Sequence, residues 1–276
     1  MQIIKRLALL VVIGLICAGV VKAADVYQPD RGMDGFWVLE KTGVHGVEPD
    51  DPELAGFYKR FDGMAFEVFN GMVYFNTGCV SYHEPIDTTC GELFAKALWD
   101  TDAAAFKERF DKNFGVALND PLTVWRLPFC ETMQLDLLIL PERLFLVDEG
   151  LFYGAYRKTG LREYLDVAGL DLPGCREYPI EMGLVIQDVE PGTTLARAYG
   201  QMLVKYPDVA KHLRLELPRQ NEEYQSDVDA ENVYVSYVYT GTNALAVELI
   251  YGGGVTTLEM IVDEEIALTR IMYSAD

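Results

Sequence analysis

The stretch that decides the fold of the C-terminal region runs from Asn232 to Tyr273 and reads NVYVSYVYTGTNALAVELIYGGGVTTLEMIVDEEIALTRIMY. Apolar and polar residues alternate in it, and turn residues at GTN, GGG and DEE separate four segments. The pattern predicts a four-stranded antiparallel meander. A helical pattern lies upstream, with Leu195, Tyr199 and Met202 on one face and Pro207 at its end. Together they predict an α+β unit.

Downstream of that helix, an acidic segment from Arg219 to Asn232 is interpreted as a loop. Within it, Asp227, Asp229 and Glu231 occupy alternate positions, as in a calcium loop. Asn232 stands where such a loop needs glycine, however, and Val238 where it needs an acid. We therefore predict no metal and no cofactor.

The N-terminal region carries strand and hairpin patterns. DGFWVLEKTGV at 34–44 predicts a strand with two largely buried faces. MAFEVFNGMVYF at 64–75 predicts a hairpin, because Asn70-Gly71 is a strong two-residue turn signal. Two more hairpins are predicted at 122–140 and 143–158.

Between these hairpins the period changes to that of a helix. Phe106, Phe110 and Phe114 recur at four-residue intervals, and Asp100 to Asp102 provide a cap before them. Aromatic residues at this spacing are more often part of a core than of a cofactor site. We therefore predict a helical insertion, residues 91–114, in a β-rich region.

These patterns divide the chain into two predicted domains of an α+β protein. Residues 24–160 form an antiparallel, β-rich domain and residues 179–276 form the α+β domain. The connector, residues 161–178, lacks a sustained period and is rich in glycine and proline.

The first 23 residues have the order of a secretory signal peptide. Lys5 and Arg6 precede an apolar run of about fifteen residues, shorter than the roughly twenty that cross a bilayer as a helix. The sequence therefore predicts export, to a bacterial periplasm or, as the alternative, to the exterior.

Cysteine usage fits an oxidising compartment. Four cysteines follow residue 23, namely Cys79, Cys90, Cys130 and Cys175, and an even count in an exported chain predicts two disulfides. The simplest pairing is Cys79 with Cys90 and Cys130 with Cys175, while a bridge from Cys79 to Cys130 remains open.

The charge of the chain restricts its partners. Cleavage after residue 23 removes three basic residues and no acidic one, so the formal charge changes from −20 to −23. This field repels nucleic acid and anionic lipid, and it attracts cationic proteins. A role in solubility alone stays open. We predict a cationic protein partner, no nucleic acid and no membrane contact after cleavage.

A family resemblance supports this class of partner. The GFW segment, Gly35 to Trp37, and the closing hairpin LFLVDEGLFYGAYRK, Leu144 to Lys158, resemble small lipocalin-like barrels of bacterial envelope proteins. Such proteins include types similar to lysozyme inhibitors and to immunity proteins against secreted toxins. The resemblance covers residues 32–158 and implies a lipocalin-like barrel with a helical insertion.

Catalytic patterns are absent from the sequence. His45, His83 and His212 each stand without a neighbouring nucleophile motif, and no serine lies in a Gly-x-Ser-x-Gly elbow. No catalytic residue is assigned. A hydrolase built from distant residues remains an alternative.

The favoured hypothesis is therefore a periplasmic acidic binding or inhibitor protein that neutralises a cationic cell-wall hydrolase or toxin. Its candidate contact residues are loop aromatics and acids: Tyr82, Tyr178, Glu222, Glu223, Tyr224, Asp227 and Asp229. The alternative is a carrier of a small apolar ligand, with a cavity lined by Trp37, Phe66, Phe75 and Trp125. The oligomeric state is left open.

Overall fold

Two antiparallel β-sheets contain most of the residues described here. The computed structural model describes residues 33–44, 61–76, 80–82, 84–95, 102–127, 135–140, 143–148, 152–180, 183–191, 194–229, 231–263 and 266–275. These ranges belong to one compact unit, Gly32–Asp276. The predicted signal peptide, residues 1–23, lies outside them.

The first sheet is nearly closed and barrel-like. Its nine strands are β1 (Gly35–Val44), β2 (Ala65–Phe69), β3 (Met72–Phe75), β4 (Val80–Tyr82), β5 (Glu84–Thr88), β6 (Leu122–Leu127), β7 (Leu135–Leu140), β8 (Arg143–Asp148) and β9 (Phe152–Thr159). They lie in the order β4-β3-β2-β1-β9-β8-β7-β6-β5. Because β4 and β5 follow one another in the chain, the two edges of the sheet come close together.

The predicted hairpins of this sheet are confirmed. Strands β2 and β3 pair across Asn70 and Gly71, which have φ values of 48° and 81°. A two-residue turn of this type needs positive φ at both central positions, which explains the Asn-Gly sequence. Strand β6 pairs with β7, and β8 with β9, as predicted.

The interior of the first sheet is filled by side chains. Alternate residues of each strand point inward, and Leu144 and Leu146 of β8 belong to the inner cluster. The four side chains that a ligand carrier would use, Trp37, Phe66, Phe75 and Trp125, are members of the same cluster and are buried.

The predicted helical insertion covers part of the outer face of this sheet, over strands β6 to β9. It consists of α1 (Cys90–Leu93) and α2 (Ala103–Phe114), and the Asp102 side chain caps α2 by accepting from the Ala105 amide at 2.8 Å. The Phe110 ring lies 4.9 Å from that of Phe145 on β8, so the aromatic stripe is core, as predicted.

The second sheet has seven strands and contains the predicted meander. Its elements are α3 (Leu161–Ala168), β10 (Gly174–Ile180), β11 (Gly183–Pro191), α4 (Leu195–Lys205), α5 (Pro207–Ala210), β12 (Glu222–Val228), β13 (Glu231–Gly241), β14 (Ala244–Tyr251), β15 (Gly254–Asp263) and β16 (Ile266–Ala275). The strands lie in the order β10-β11-β16-β15-β14-β13-β12. Helices α4 and α5 pack on one face through apolar residues.

Two segments differ from the sequence interpretation. The predicted connector, 161–178, contains α3 and most of β10, because Leu161, Tyr164 and Leu165 bury an apolar face against the first sheet. The predicted acidic loop, 219–232, contains β12, which pairs with β13 over seven residues. Acidic side chains are compatible with a strand here because it lies at the edge of the sheet.

The two sheets share buried clusters. One joins Phe36 and Val38 of β1 with Leu268 of β16, and another joins Tyr74 of β3 with Val185 of β11. The predicted division into two domains is thus not confirmed, since apolar residues from both predicted domains contribute to the same core.

Truncation of the aromatic stripe is expected to destabilise the chain. Phe110→Ala leaves a cavity between α2 and the first sheet and should lower the free energy of unfolding by about 3–5 kcal/mol. Urea denaturation measures this. The control Glu108→Ala, on the exposed side of the same helix, should change the value by less than about 0.5 kcal/mol. Equal effects of the two variants would contradict this packing.

Candidate functional site

Four of the seven predicted contact residues lie on one edge strand. Glu222, Glu223, Tyr224 and Asp227 belong to β12, the last strand in the order of the second sheet. Asp229 follows in the turn to β13, with a φ of 57°. A strand sends successive side chains to opposite faces, so these acids do not form a single surface.

The other two candidates lie elsewhere. Tyr82 is on β4 of the first sheet, 38% exposed, and its hydroxyl donates to Glu84 Oε1 at 3.0 Å. Tyr178 is on β10, at the opposite edge of the second sheet from β12, and its side chain is outside the described part of the chain.

One face of β12 is occupied by internal contacts. The Arg214 guanidinium lies 4.0 Å from the centre of the Tyr224 ring and donates from Nε to Glu222 Oε1 at 2.9 Å. The Tyr224 hydroxyl donates to the His212 carbonyl oxygen at 2.7 Å. Glu222 and Tyr224 therefore fasten the strand to the segment after α5.

Asp229 is also paired within the chain. Lys211 Nζ lies 3.3 Å from Asp229 Oδ2 and 3.1 Å from Glu231 Oε2. The hydrogen bond from Lys211 holds the pKa of the Glu231 carboxyl below its usual value. Of the three acids spaced as in a calcium loop, Asp229 and Glu231 contact Lys211, whereas Asp227 lies at an exposed position of β12.

The opposite face of β12 belongs to an uncovered part of the second sheet. Residues paired across neighbouring strands share a face, and one row joins Glu223, Ser236, Glu248, Thr257, Met272 and Val185. At one end Val185 packs against the first sheet, whereas at the other end Glu223 is exposed. The first sheet therefore covers this face as far as Ala246 of β14, whereas Glu223, Gln225 and Asp227 of β12 and Ile250 of β14 are exposed.

We call this region the acidic corner, and it consists of Glu223, Gln225, Asp227, Tyr234, Glu248 and Ile250. Burial without a neighbouring cation raises the pKa of the Glu248 carboxyl. Glu223 accepts a hydrogen bond from the Tyr234 hydroxyl. Within the described ranges, no ion pair includes Glu223, Asp227 or Glu248. The corner thus carries acidic groups with no cation opposite them.

The fold also brings together a serine, a histidine and a carboxylate. His212 Nδ1 lies 3.2 Å from Ser226 Oγ, and Nε2 lies 3.2 Å from Glu231 Oε2. Sequence spacing had no signal for this group, because its members come from the segment after α5, from β12 and from β13. The histidine side chain has no exposed surface, so the group fastens the hairpin rather than presenting a nucleophile.

A buried ionic cluster lies where the two sheets meet. The Arg270 guanidinium of β16 forms two hydrogen bonds to Glu67 of β2, one of them 3.1 Å long. It also donates to Glu259 Oε2 at 3.2 Å and to Gln187 Oε1 at 3.0 Å, and it lies 3.9 Å from the centre of the Tyr74 ring. Two carboxylates share one guanidinium, so the cluster favours a proton on one of them.

Burial favours the protonated form of both carboxyls. It raises the pKa of Glu259 to about 7, although Arg270 opposes the shift. Burial also raises the pKa of Glu67, which has the two-bonded contact with Arg270. Alternating patterns cannot identify Glu67 as buried, because a polar residue at that position of β2 normally faces water.

The structure describes two of the four cysteines, and both have free thiols. Cys90 starts α1 in the buried aromatic cluster, where burial raises its pKa to about 11. Cys175 on β10 is exposed, and burial together with the neighbouring Asp188 carboxylate raises its pKa. The pairings of Cys79 with Cys90 and of Cys130 with Cys175 are thus not formed in this structure, and a bridge from Cys79 to Cys130, which lie outside the described residues, stays a prediction.

A groove of about 540 Å³ lies beside α4. Its wall includes Asp188, which accepts from Lys205 Nζ at 2.6 Å and from the Tyr206 hydroxyl at 2.8 Å. Internal partners already satisfy this carboxylate, and the floor of Ala198 and Met202 is apolar. Other polar residues of the wall are Glu190, Arg197, Gln201 and Thr269.

Over the described ranges, no three or more histidine, cysteine or acidic side chains are placed to hold a metal ion. In the same part of the chain no helix has the length and apolar character needed to cross a membrane.

Comparison of the chain with protein-family models, with curated proteins and with solved structures gave no significant match. The resemblance to lipocalin-like envelope domains therefore stays a prediction, and a functional proposal rests on the geometry above.

The buried cluster should make stability fall as pH rises. The folded state retains the Glu259 proton up to about pH 7, whereas the unfolded chain releases it near the ordinary value of 4.5. The stabilisation is complete below about pH 4.5 and is lost as pH approaches 7. Between pH 5 and 8, the free energy of unfolding should drop by roughly 2–3 kcal/mol more than in Glu259→Gln. Urea denaturation at both values measures it, and an equal drop in both proteins would contradict it.

The two described thiols should differ in reactivity. In the chain purified without reductant, a maleimide should label Cys175 within minutes and Cys90 only after denaturation, because Cys90 is buried. Peptide mapping by mass spectrometry identifies the labelled residue, and Cys175→Ser should abolish the fast labelling. Labelling of Cys175 that appears only after reduction would instead show a disulfide.

Proposed function

We propose that this chain is an exported acidic binding protein that neutralises a cationic protein of the cell-wall hydrolase or toxin class. The observation that carries the proposal is the acidic corner, where Glu223, Asp227 and Glu248 have no cation opposite them in the described chain. Acids collected at an exposed sheet corner are complementary in charge to a basic partner surface.

The negative net charge of the chain also favours a cationic partner. A formal charge of −20, or −23 after the predicted cleavage, attracts a cationic protein over a Debye length of about 8–10 Å. Such attraction raises association rates by 10- to 1,000-fold and excludes anionic partners. Charge therefore accounts for speed and selectivity of binding.

Affinity needs buried apolar contact as well. Ile250 in the acidic corner is 42% exposed, and Tyr234 beside it is half-buried. Tyrosine and large apolar side chains at the centre of a polar rim are typical of the residues that dominate interface energies. These two residues are the proposed anchors, and the surrounding acids form the rim.

The alternatives have less support. The residues of the proposed ligand cavity pack together in one buried cluster, which is the arrangement of a filled core. The group of His212, Ser226 and Glu231 has the atoms of a hydrolytic triad, but Ser226 is 8% exposed and the histidine ring is enclosed. Neither arrangement leaves a substrate next to a reactive atom.

The test compares two variants of equal charge. Glu223→Gln, Asp227→Asn and Glu248→Gln are combined to neutralise the acidic corner. Asp87→Asn, Glu108→Gln and Asp111→Asn, on the first sheet and α2, form the control, because these three are exposed acids of the other half. Interferometry measures binding to a panel of purified cationic hydrolases, including a c-type lysozyme, and cationic toxin domains.

We expect at least one panel member to bind the parent chain, with an affinity that falls as salt is raised. The corner variant should then bind about tenfold more slowly or worse, and the control variant should bind like the parent. An equal loss in both variants would mean that the corner is not the contact. Absence of binding across the panel would contradict the proposal.

A further inference from the structure

We infer that the partner adds an extended basic segment to β12 as an eighth strand of the second sheet. The inference rests on the proposed function and goes further, because it names the backbone geometry and the residue pattern of the partner. Recognition by strand addition uses main-chain hydrogen bonds for affinity and alternate side chains for specificity.

The backbone of β12 is available on one side. Every residue of the strand pairs with β13, from Glu222 with Tyr237 to Val228 with Glu231. No other described strand lies beyond β12 in the sheet order. In an antiparallel sheet, half of the N–H and C=O groups of such a strand point away from its neighbour.

The edge lacks several of the usual devices that prevent strand addition, and its charged residues are all acidic, so they oppose an acidic strand but not a basic one. Its seven residues, EEYQSDV, include no proline, glycine or lysine. Its register with β13 has no shift, in contrast to the irregularity between β13 and β14 near Gly241. A regular edge of seven residues is about 23 Å long, enough for a short extended peptide.

The side chains of β12 define the pattern that an added strand must have. Glu223, Gln225 and Asp227 lie on the uncovered face at alternate positions. A neighbouring strand places its side chains about 4.5–5.5 Å from these, so lysine or arginine at every second position would oppose them. On the other face Arg214 already pairs with Glu222, and small neutral residues fit there.

The same geometry disfavours a second copy of this chain as the added strand. If two β12 strands paired antiparallel about Gln225, Glu223 of each would lie opposite Asp227 of the other. Like charges directly opposite one another destabilise a sheet. The edge of β12 therefore favours pairing with a basic strand over pairing with β12 of a second copy.

The test uses peptides and leaves the protein unchanged. The probes are a fluorescent heptapeptide, Lys-Thr-Lys-Thr-Lys-Thr-Lys, an isomer with its four lysines consecutive, and the alternating peptide N-methylated at every second amide. All three carry the same charge. Fluorescence anisotropy with the full chain at low salt measures their dissociation constants.

We expect the alternating peptide to bind at least about tenfold tighter than the isomer, and N-methylation to remove that advantage. The combined Glu223→Gln and Asp227→Asn variant should also remove it. Amide hydrogen exchange provides a second readout, in which the alternating peptide should slow exchange in residues 222–228 and leave β10, at the opposite edge, unchanged.

Equal binding of all three peptides, without slowed exchange in β12, would overturn strand addition. If the acidic-corner variant still lost binding to a cationic protein in that case, the proposed function would stand and the contact would be through side chains alone. If neither the peptides nor any cationic protein bound, both the inference and the proposed function would fail.

Discussion

The guanidinium of Arg270 is held between two sheets with only 1% of its side chain exposed, and the relative placement of the sheets depends on its contacts. Removing an ion from water costs several kcal/mol even in real protein interiors. Arg270 therefore needs its buried partners, which are Glu259 and Gln187 of its own sheet and Glu67 of the first sheet, and Glu67 is the one that joins it to the first sheet. Removing one partner of such a pair typically destabilises a protein by about 3–5 kcal/mol, because the other charge stays buried. Apolar clusters on either side would tolerate small shifts between the sheets, whereas this contact would not.

This constraint also determines which surface is left for a partner. Arg270 lies on β16, next to β11 and β15 in the sheet order, so the first sheet covers those strands. Ala246 of β14 still packs against the first sheet, whereas β12 and Ile250 of β14 extend beyond the cover, and the acidic corner lies at that edge. The acids of the second sheet consequently fall into two kinds. Glu259 has an internal cation, whereas Glu223, Asp227 and Glu248 face away from any cation of the described chain.

Much of the fold follows from local patterns, and the elements that do not are instructive. The Asn70-Gly71 turn, the aromatic stripe of α2 and the meander from β13 to β16 each have a period or a turn signal that is complete within a few residues. The sequence predicts a loop where β12 lies, because the acids of this strand mask its alternation. The sequence pattern does not predict helix α3, because the helix is short and flanked by glycines. The buried state of Glu67 has no local signal at all, since its partner lies 203 residues away. The candidate site is likewise predictable only in part. The charge of the residues in β12 identifies them, but their division between two faces follows only from their strand conformation.

Because synthesis proceeds from the N-terminus, Glu67 also affects the properties of the incomplete chain. All nine strands of the first sheet lie between Gly35 and Thr159, so this sheet can be complete while β16 is still unsynthesised. Its outer face then exposes Phe69, Tyr74 and Val80 with no cover, a surface prone to unwanted association. The polar Glu67 carboxyl of that surface is then open to water and keeps the surface hydrated until Arg270 is made. Glu67, which joins the two sheets in the complete protein, is thus also suited to limit association between incomplete chains.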